Sequence, residues 1–500
     1  MNTIAFYYYS LYNSTCTNKG KDVSMSNPAP KDKRLERMGS APIFGLIMKM
    51  SVPTMFSMIV QALYNVVDSM FVSHYDKSAL TAVSLAFPMQ LLLIGFGVGT
   101  AIGVNSLISR RLGEGRHEEA NKAATYSLML SVLTWVLFAA VGLIFSSSII
   151  GAYTDNPKVL NAGTQYLSTV YIFSFGIIIE VGIEKLLQST GNSVFPMLFQ
   201  LSGAVINTIL DPIFIFGLGP IPSMGALGAA IATVIGQIAS MIFALIVLFV
   251  RKNPIKISFR YLKKPEMHII KDIYAVGFPS IVMQSISSAM LLGLNGILAG
   301  ISETYVDVLG VYFKLQSFVF MPVFGLTHGV MPIMGYNYGA GNKKRLLTTL
   351  KYGILIAIAV MAAGMLAFQL IPDKLLGMFN AYPEMFEVGI PALKTISLCF
   401  VLAAIGIMIS TLFQATGKGL RSMLTSLLRQ LGVILPAAYM LSQISSGLVW
   451  WAFPIAEGVA LIVALLFYIN LYKKNIRDLS PQAARRASAP VSALKTTNEQ

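Results

Sequence analysis

Two aspartates lie deep inside apolar stretches of this chain. Asp68 sits in QALYNVVDSMF, where Gln61, Asn65 and Asp68 follow i, i+4, i+7 spacing and share one helix face. Asp211 sits in AVINTILDPIF, with Asn207 one turn before it. A charged group near the middle of a membrane span costs ~2.5–3.5 kcal/mol, so such acids mark a pathway or a site. If the spans that carry them are neighbours, two carboxylates and two amides make an oxygen-rich cluster. Na+, a hard cation, prefers oxygen donors. Alternatively, desolvated carboxylates take up protons, and two close acids titrate as a pair. Tyr166 and Thr233 could add hydroxyls from the fourth and sixth spans. Under a plainer reading, Asp211 caps a helix break at Pro212 and Asp68 faces an inner water cavity.

Glu180, Glu184 and Gln188 form a further i, i+4, i+8 stripe. Glu180 lies deeper and is the cavity candidate, whereas Glu184 and Lys185 lie near a span end, where they snorkel or pair. Later in the chain, Lys314, Lys394, Arg429 and Glu457 fall in or near spans. An Arg429–Glu457 or Lys314–Glu457 ion pair of structural role is expected there. His328 reads as a polar residue inside the eighth span, with proton relay the lesser role.

The elements that must position these groups are membrane helices. Only 12% of residues are charged and 55% are hydrophobic, with a mean hydropathy of +0.68. Apolar runs recur that can each cross ~30 Å of hydrocarbon. They cover about 44–73, 80–108, 121–147, 160–187, 194–217, 225–250, 272–300, 306–336, 347–370, 386–413, 420–442 and 447–471. The two halves repeat at an offset of 226: Pro53 maps to Pro279, Gly99 to Gly325, Gly103 to Gly329, Gly113 to Gly339 and Gly115 to Gly341. Gln188-Ser189-Thr190-Gly191 maps likewise to Gln414-Ala415-Thr416-Gly417. The expected fold is therefore an all-α integral membrane protein, with twelve transmembrane helices in two six-helix lobes. An even number of spans per repeat makes the repeat parallel. Asp68 maps to Leu294 and Asp211 to Ala437, so the two deepest acids belong to the first half only.

The division expected is a cytoplasmic tail at 1–42, a first lobe at 43–250, a linker at 251–271, a second lobe at 272–472 and a disordered cytoplasmic tail at 473–500. The net charge of +15 is not spread evenly. About 29 Lys and Arg residues fall on one side of this topology and about 3 on the other. That is the positive-inside bias, which puts both termini in the cytoplasm of a multi-pass protein of the cell (inner) membrane. It also removes the nucleic-acid reading. The linker includes a short amphipathic piece expected on the inner leaflet, against membrane lipids. The turns RRLGEGR and YNYGAGNKKR read as tight structural reversals. Prolines at 53, 88, 196, 212, 279, 322, 332, 436 and 454 can bend spans. Cys16 and Cys399 make no disulfide framework or metal motif. No phosphate loop, metalloprotease motif or nucleophile elbow is present, so neither ATP hydrolysis nor an enzyme is expected, and no cofactor.

VPTMFSMIVQALYNVVDSMFV, LLQSTGN with its repeat LFQATGK, INTILDPIFIFG and FKLQSFVFMPVFGLTHGVMPIMGYNYGAGNK together resemble the multidrug and toxic compound extrusion (MATE) family of secondary transporters. The resemblance covers about residues 40–472. It implies two six-helix lobes forming a V that opens alternately to either side, exporting cationic amphipathic compounds in exchange for Na+ or H+. Where family members hold a cation in the first lobe, the matching positions here are Asp68, Asn207 and Asp211, with Thr233 as the sixth-helix hydroxyl. Gln61 and Tyr166 match its first-helix glutamine and fourth-helix tyrosine. Some relatives use acids of the seventh and eighth helices instead. Leu294 stands at the repeat of Asp68 here, with only Asp307 near the start of the eighth span. The resulting expectation is a monomeric antiporter of cationic organic molecules. A lipid-linked saccharide flippase of the same wider superfamily is the alternative, and a passive channel the plainer rival.

Overall fold

Long helices dominate because their residues are apolar on every side, as lipid requires, and satisfy their backbone groups internally. A computed structural model describes residues 33–379 and 381–481, and those from Arg34 onward form one unit. The tails at 1–32 and 482–500, with Cys16, lie outside the described residues, as does Asn380.

Among the described residues, ten helices are long and apolar enough to span, and two bent pairs, each counted as one span, bring the number to twelve. The first six spans are Ile43–Tyr75, Lys77–Gly113, His117–Gly151, the bent pair Pro157–Ile172 and Phe175–Ser189, Val194–Phe216 and Ala226–Val250. The second six begin with Met267–Ala299, Glu303–Gly339 and Lys343–Leu370, followed by the bent pair Pro383–Ser397 and Phe400–Ala415. The eleventh is interrupted by a π segment at Leu428–Ile434, and the twelfth is Ala452–Leu471. Leu143, Phe249 and Leu292 are large apolar side chains exposed on the spans. Within the linker, the short helix Phe259–Lys263 stands where an amphipathic piece is expected.

The fourth and tenth spans, each read from the sequence as a single apolar run, are bent helix pairs. They bend by 43° and 46°, at the twinned positions Phe173 and Cys399 rather than at a proline. Side chains compete with the helix ladder there. Ser174 Oγ donates to the Tyr171 carbonyl (2.8 Å) and Cys399 Sγ to that of Ile396 (3.0 Å). Carbonyls at each break find a donor on the preceding span, Trp135 Nε1 to Ile172 O at 2.8 Å and Gln369 Nε2 to Lys394 O at 2.7 Å. Conversely, the fifth span runs unbroken through Pro212. Asp211 therefore caps no helix break, and that plainer reading is corrected.

The lobes meet through reciprocal close contacts. A Cβ on Gly103 would strike the Ile273 carbonyl and lie 2.9 Å from Gly277 N; one on Gly329 would strike Ser51 Oγ and lie 2.8 Å from Ser51 N. Ser51 and Gly277 are themselves twins, so the second span packs on the seventh as the eighth packs on the first. Thr54 Oγ1 reinforces the latter crossing by donating to Gly325 O (2.7 Å). The crossings also exchange core residues. Ile47 of the first span sits in the core formed mainly by the second lobe, whereas its twin Ile273 sits in a first-lobe core.

These crossings lie in the halves of the spans nearest the basic loops. At that face Arg111 pairs with Glu114 (2.8 Å) and Asp272 (2.7 Å), and Lys122 with Glu266 (2.6 Å). Gly115 (φ 77°) and Gly341 (φ 72°) end the second and eighth spans in the left-handed region, and backbone bonds closing back from Arg116 and Asn342 complete both turns. The segment taken as tail up to residue 42 contains a helix, Lys33–Ser40. Its Leu35 and Met38 pack in a first-lobe core, while the Met38 carbonyl accepts from Asn337 Nδ2 (3.1 Å) and Arg345 Nη2 (3.2 Å) of the second lobe.

Candidate functional site

Small residues bring the fifth and sixth spans together. A Cβ on Gly236 would lie 2.7 Å from Gly203 O, and Ser240 Oγ donates to Phe199 O at 2.7 Å. One turn further along, Asn207 Nδ2 lies 3.3 Å from Asp211 Oδ1 and 3.2 Å from Thr233 Oγ1. All three residues are buried, Asp211 completely. Asn207 Oδ1 is buried with no hydrogen-bond partner. A carboxylate, an amide oxygen and a hydroxyl thus converge where water is excluded. These are hard donors, suited to Na+ or to a transferable proton. Among the described residues no group of three His, Cys, Asp or Glu side chains converges as a metal centre would require.

The first span packs against the fifth. The side chains of Asn65 and Asp68 lie outside the described residues, while Gln61 on the same helix is exposed. Tyr166 is buried in the first half of the fourth span, its hydroxyl 3.5 Å from Gln90 Oε1 of the second. Glu180 lies beyond the bend, buried, with Oε1 lacking a hydrogen-bond partner. One turn on, Glu184 and Lys185 are buried at 2% and 3% exposure and paired at 2.9 Å. Lys185 therefore does not snorkel. Gln200 Nε2 donates to Glu184 Oε2 (2.8 Å), and Lys185 Nζ also reaches His328 Nδ1 (3.0 Å). Sequence reasoning passed over Gln90 and Gln200. The signal was available, since each is an amide inside an apolar run just as Gln61 is.

The second lobe differs at the twinned positions. Leu294 is buried in its core and Ala437 packs against it. Of the two ion pairs considered there, Arg429–Glu457 is formed, at 2.5 Å between the eleventh and twelfth spans. Lys314 instead lies over the Phe379 ring, 5.8 Å from its centre.

Two helical bundles crossed at one face, with buried oxygen donors between two spans of the first, define a polytopic membrane protein of transporter type. The MatE family model matches twice, over residues 53–213 and 279–440. The chain belongs to the MatE family. It is 25% identical over 453 residues to the multidrug export protein MepA of Staphylococcus aureus (strain MSSA476), covering 90% of this chain and 99% of the relative. The protein of that name from Staphylococcus haemolyticus (strain JCSC1435) is 28% identical over 447 residues, or 88% and 96% of the two chains. Among solved structures, an outward-facing multidrug resistance MATE family transporter of the MOP superfamily aligns with a TM-score of 0.84 at 28% identity, over 89% of this chain and all of the other. A MOP superfamily transporter from Pyrococcus furiosus aligns with the same score, identity and coverage.

Proposed function

We propose that this protein is a secondary antiporter of the cell membrane that exports cationic amphipathic compounds in exchange for Na+ or H+. One observation carries the reading: a buried Asn207–Asp211–Thr233 cluster with an unfilled oxygen, present in one lobe and absent from its twin. The similarity to proteins named for multidrug export supports the substrate class. The positive-inside bias supports cytoplasmic termini, which makes the crossed, basic face the inner one. On that reading the lobes are closed at the inner face, and a relative described as outward-facing is similar in fold.

In the cycle, Asp211 and Asn207 take the coupling ion, with Asp68 completing the set from the first span. Glu180, a buried acid, holds the cationic substrate from the same lobe. Loading the coupling ion neutralises the lobe and weakens that hold, so substrate leaves on the outer side. Binding shifts the balance of inward and outward shapes only through its different affinity for the two. The test is dye uptake into inverted vesicles, whose lumen corresponds to the outer side, with Na+ and pH gradients imposed one at a time. One gradient is expected to drive transport and the other not. Equal transport with neither gradient would remove the antiport reading.

A further inference from the structure

We propose that Lys185 is a positioning residue of the transport cycle, holding the lobes closed at the basic face through a hydrogen bond to His328. Its ammonium carries three hydrogens and uses all of them. They go to Glu184 Oε1 (2.9 Å), Gln188 Oε1 (3.1 Å) and His328 Nδ1 (3.0 Å). The first two acceptors share Lys185's own helix. The third belongs to the eighth span, one residue from Gly329, where that span crosses the first span of the other lobe. Lysine can only donate, so His328 accepts at Nδ1 and is the neutral tautomer with its proton on Nε2.

The rest of the cluster makes this bond reversible. Glu184 also accepts from Gln188 Nε2 and Gln200 Nε2, both at 2.8 Å. The charge of Lys185 is therefore neutralised within the first lobe, by a carboxylate itself held by two amides. Breaking this particular contact as the lobes part costs one hydrogen bond and strands no buried charge at Lys185. An ion pair shared between the lobes would leave an uncompensated charge on each side at every opening. The geometry thus describes a weak latch, strong enough to bias the closed face and weak enough to release in each cycle.

The role rests on the alternating-access reading above, but its test needs neither ion nor drug, so the two fail separately. Spin labels at exposed positions of the basic face, Glu118 in one lobe and Lys344 in the other, replaced by cysteine in a Cys16→Ser, Cys399→Ser background, report the lobe separation by pulsed EPR. His328→Phe is expected to raise the ratio of open to closed distances roughly tenfold, equivalent to about 1.4 kcal/mol. His328→Asn, which keeps an acceptor near the place of Nδ1, is expected to match the parent. Lys185→Met with Glu184→Gln removes the donor without leaving a charge, and should open the face as His328→Phe does. That pair carries the test should the phenylalanine variant not fold. Unchanged distances in His328→Phe or in the charge-neutral pair would overturn the proposal. So would equal opening in the phenylalanine and asparagine variants, which would show that side-chain volume and not the hydrogen bond is responsible.

Discussion

The amide of Asn207 divides its two ends unequally. Nδ2 is shared between Asp211 and Thr233, while Oδ1 is buried with no partner. An unfilled buried acceptor costs about 1–3 kcal/mol, a penalty that an arriving cation or proton donor would relieve. Thr233 both accepts from the amide and presents an oxygen to the same space. Thr233→Val keeps the shape and removes that oxygen. The half-saturating concentration of the coupling ion for efflux should rise about tenfold, the equivalent of about 1.4 kcal/mol, with maximal rate preserved. An unchanged ion dependence would take Thr233 out of the site. The Asn207 and Asp211 pair was legible because i, i+4 spacing within one span needs no tertiary knowledge. Thr233 depended on how the loop between two spans sets their register, which spacing alone does not fix. Of the two readings of Lys185, pairing with Glu184 holds, while its burial was hidden for a related reason. Distance from a span end locates a residue along the membrane normal but not whether a second lobe covers it.

Helix crossings show the repeat at work. Gly103 and Gly329 are twins, and each lies where the backbone of the opposite lobe leaves no room for a Cβ. Adding branched side chains there forces the helices apart, and overpacking of this kind costs about 1–3 kcal/mol. Gly103→Val and Gly329→Val should therefore both lower the thermal midpoint of the purified protein in detergent, and by similar amounts. A fall at only one of them would mean that the two crossings are not equivalent. The glycine pattern was visible as repetition, yet its purpose was not, because close approach is a property of pairs of helices. The bends at Phe173 and Cys399 were hidden for a different reason. Prolines advertise a break, whereas a serine or cysteine bonding back to a carbonyl three residues earlier leaves no comparable mark. The unbroken passage through Pro212 is the complement of that lesson.

Across the whole molecule, the twelve-span architecture and its basic face could be read from hydropathy, from the offset of 226 and from the placement of Lys and Arg. The exchange of core residues between the lobes could not, nor could the short helix Lys33–Ser40 that touches both. Each depends on how the bundles dock. What unites the scales is inequality between two similarly built lobes. One keeps the Asn207–Asp211–Thr233 cluster between its fifth and sixth spans, whereas the other joins the corresponding spans by an Arg429–Glu457 pair that supplies its own counter-charge. Ion coupling should therefore be a property of the first lobe alone. Drug-driven ion movement in sealed proteoliposomes tests this most directly, comparing the parent with Asp211→Asn. An imposed gradient of a cationic dye should drive Na+ or H+ in the opposite direction through the parent and move neither through the variant. Ion movement that persists in Asp211→Asn, or dye that crosses the parent without any ion in return, would contradict the account.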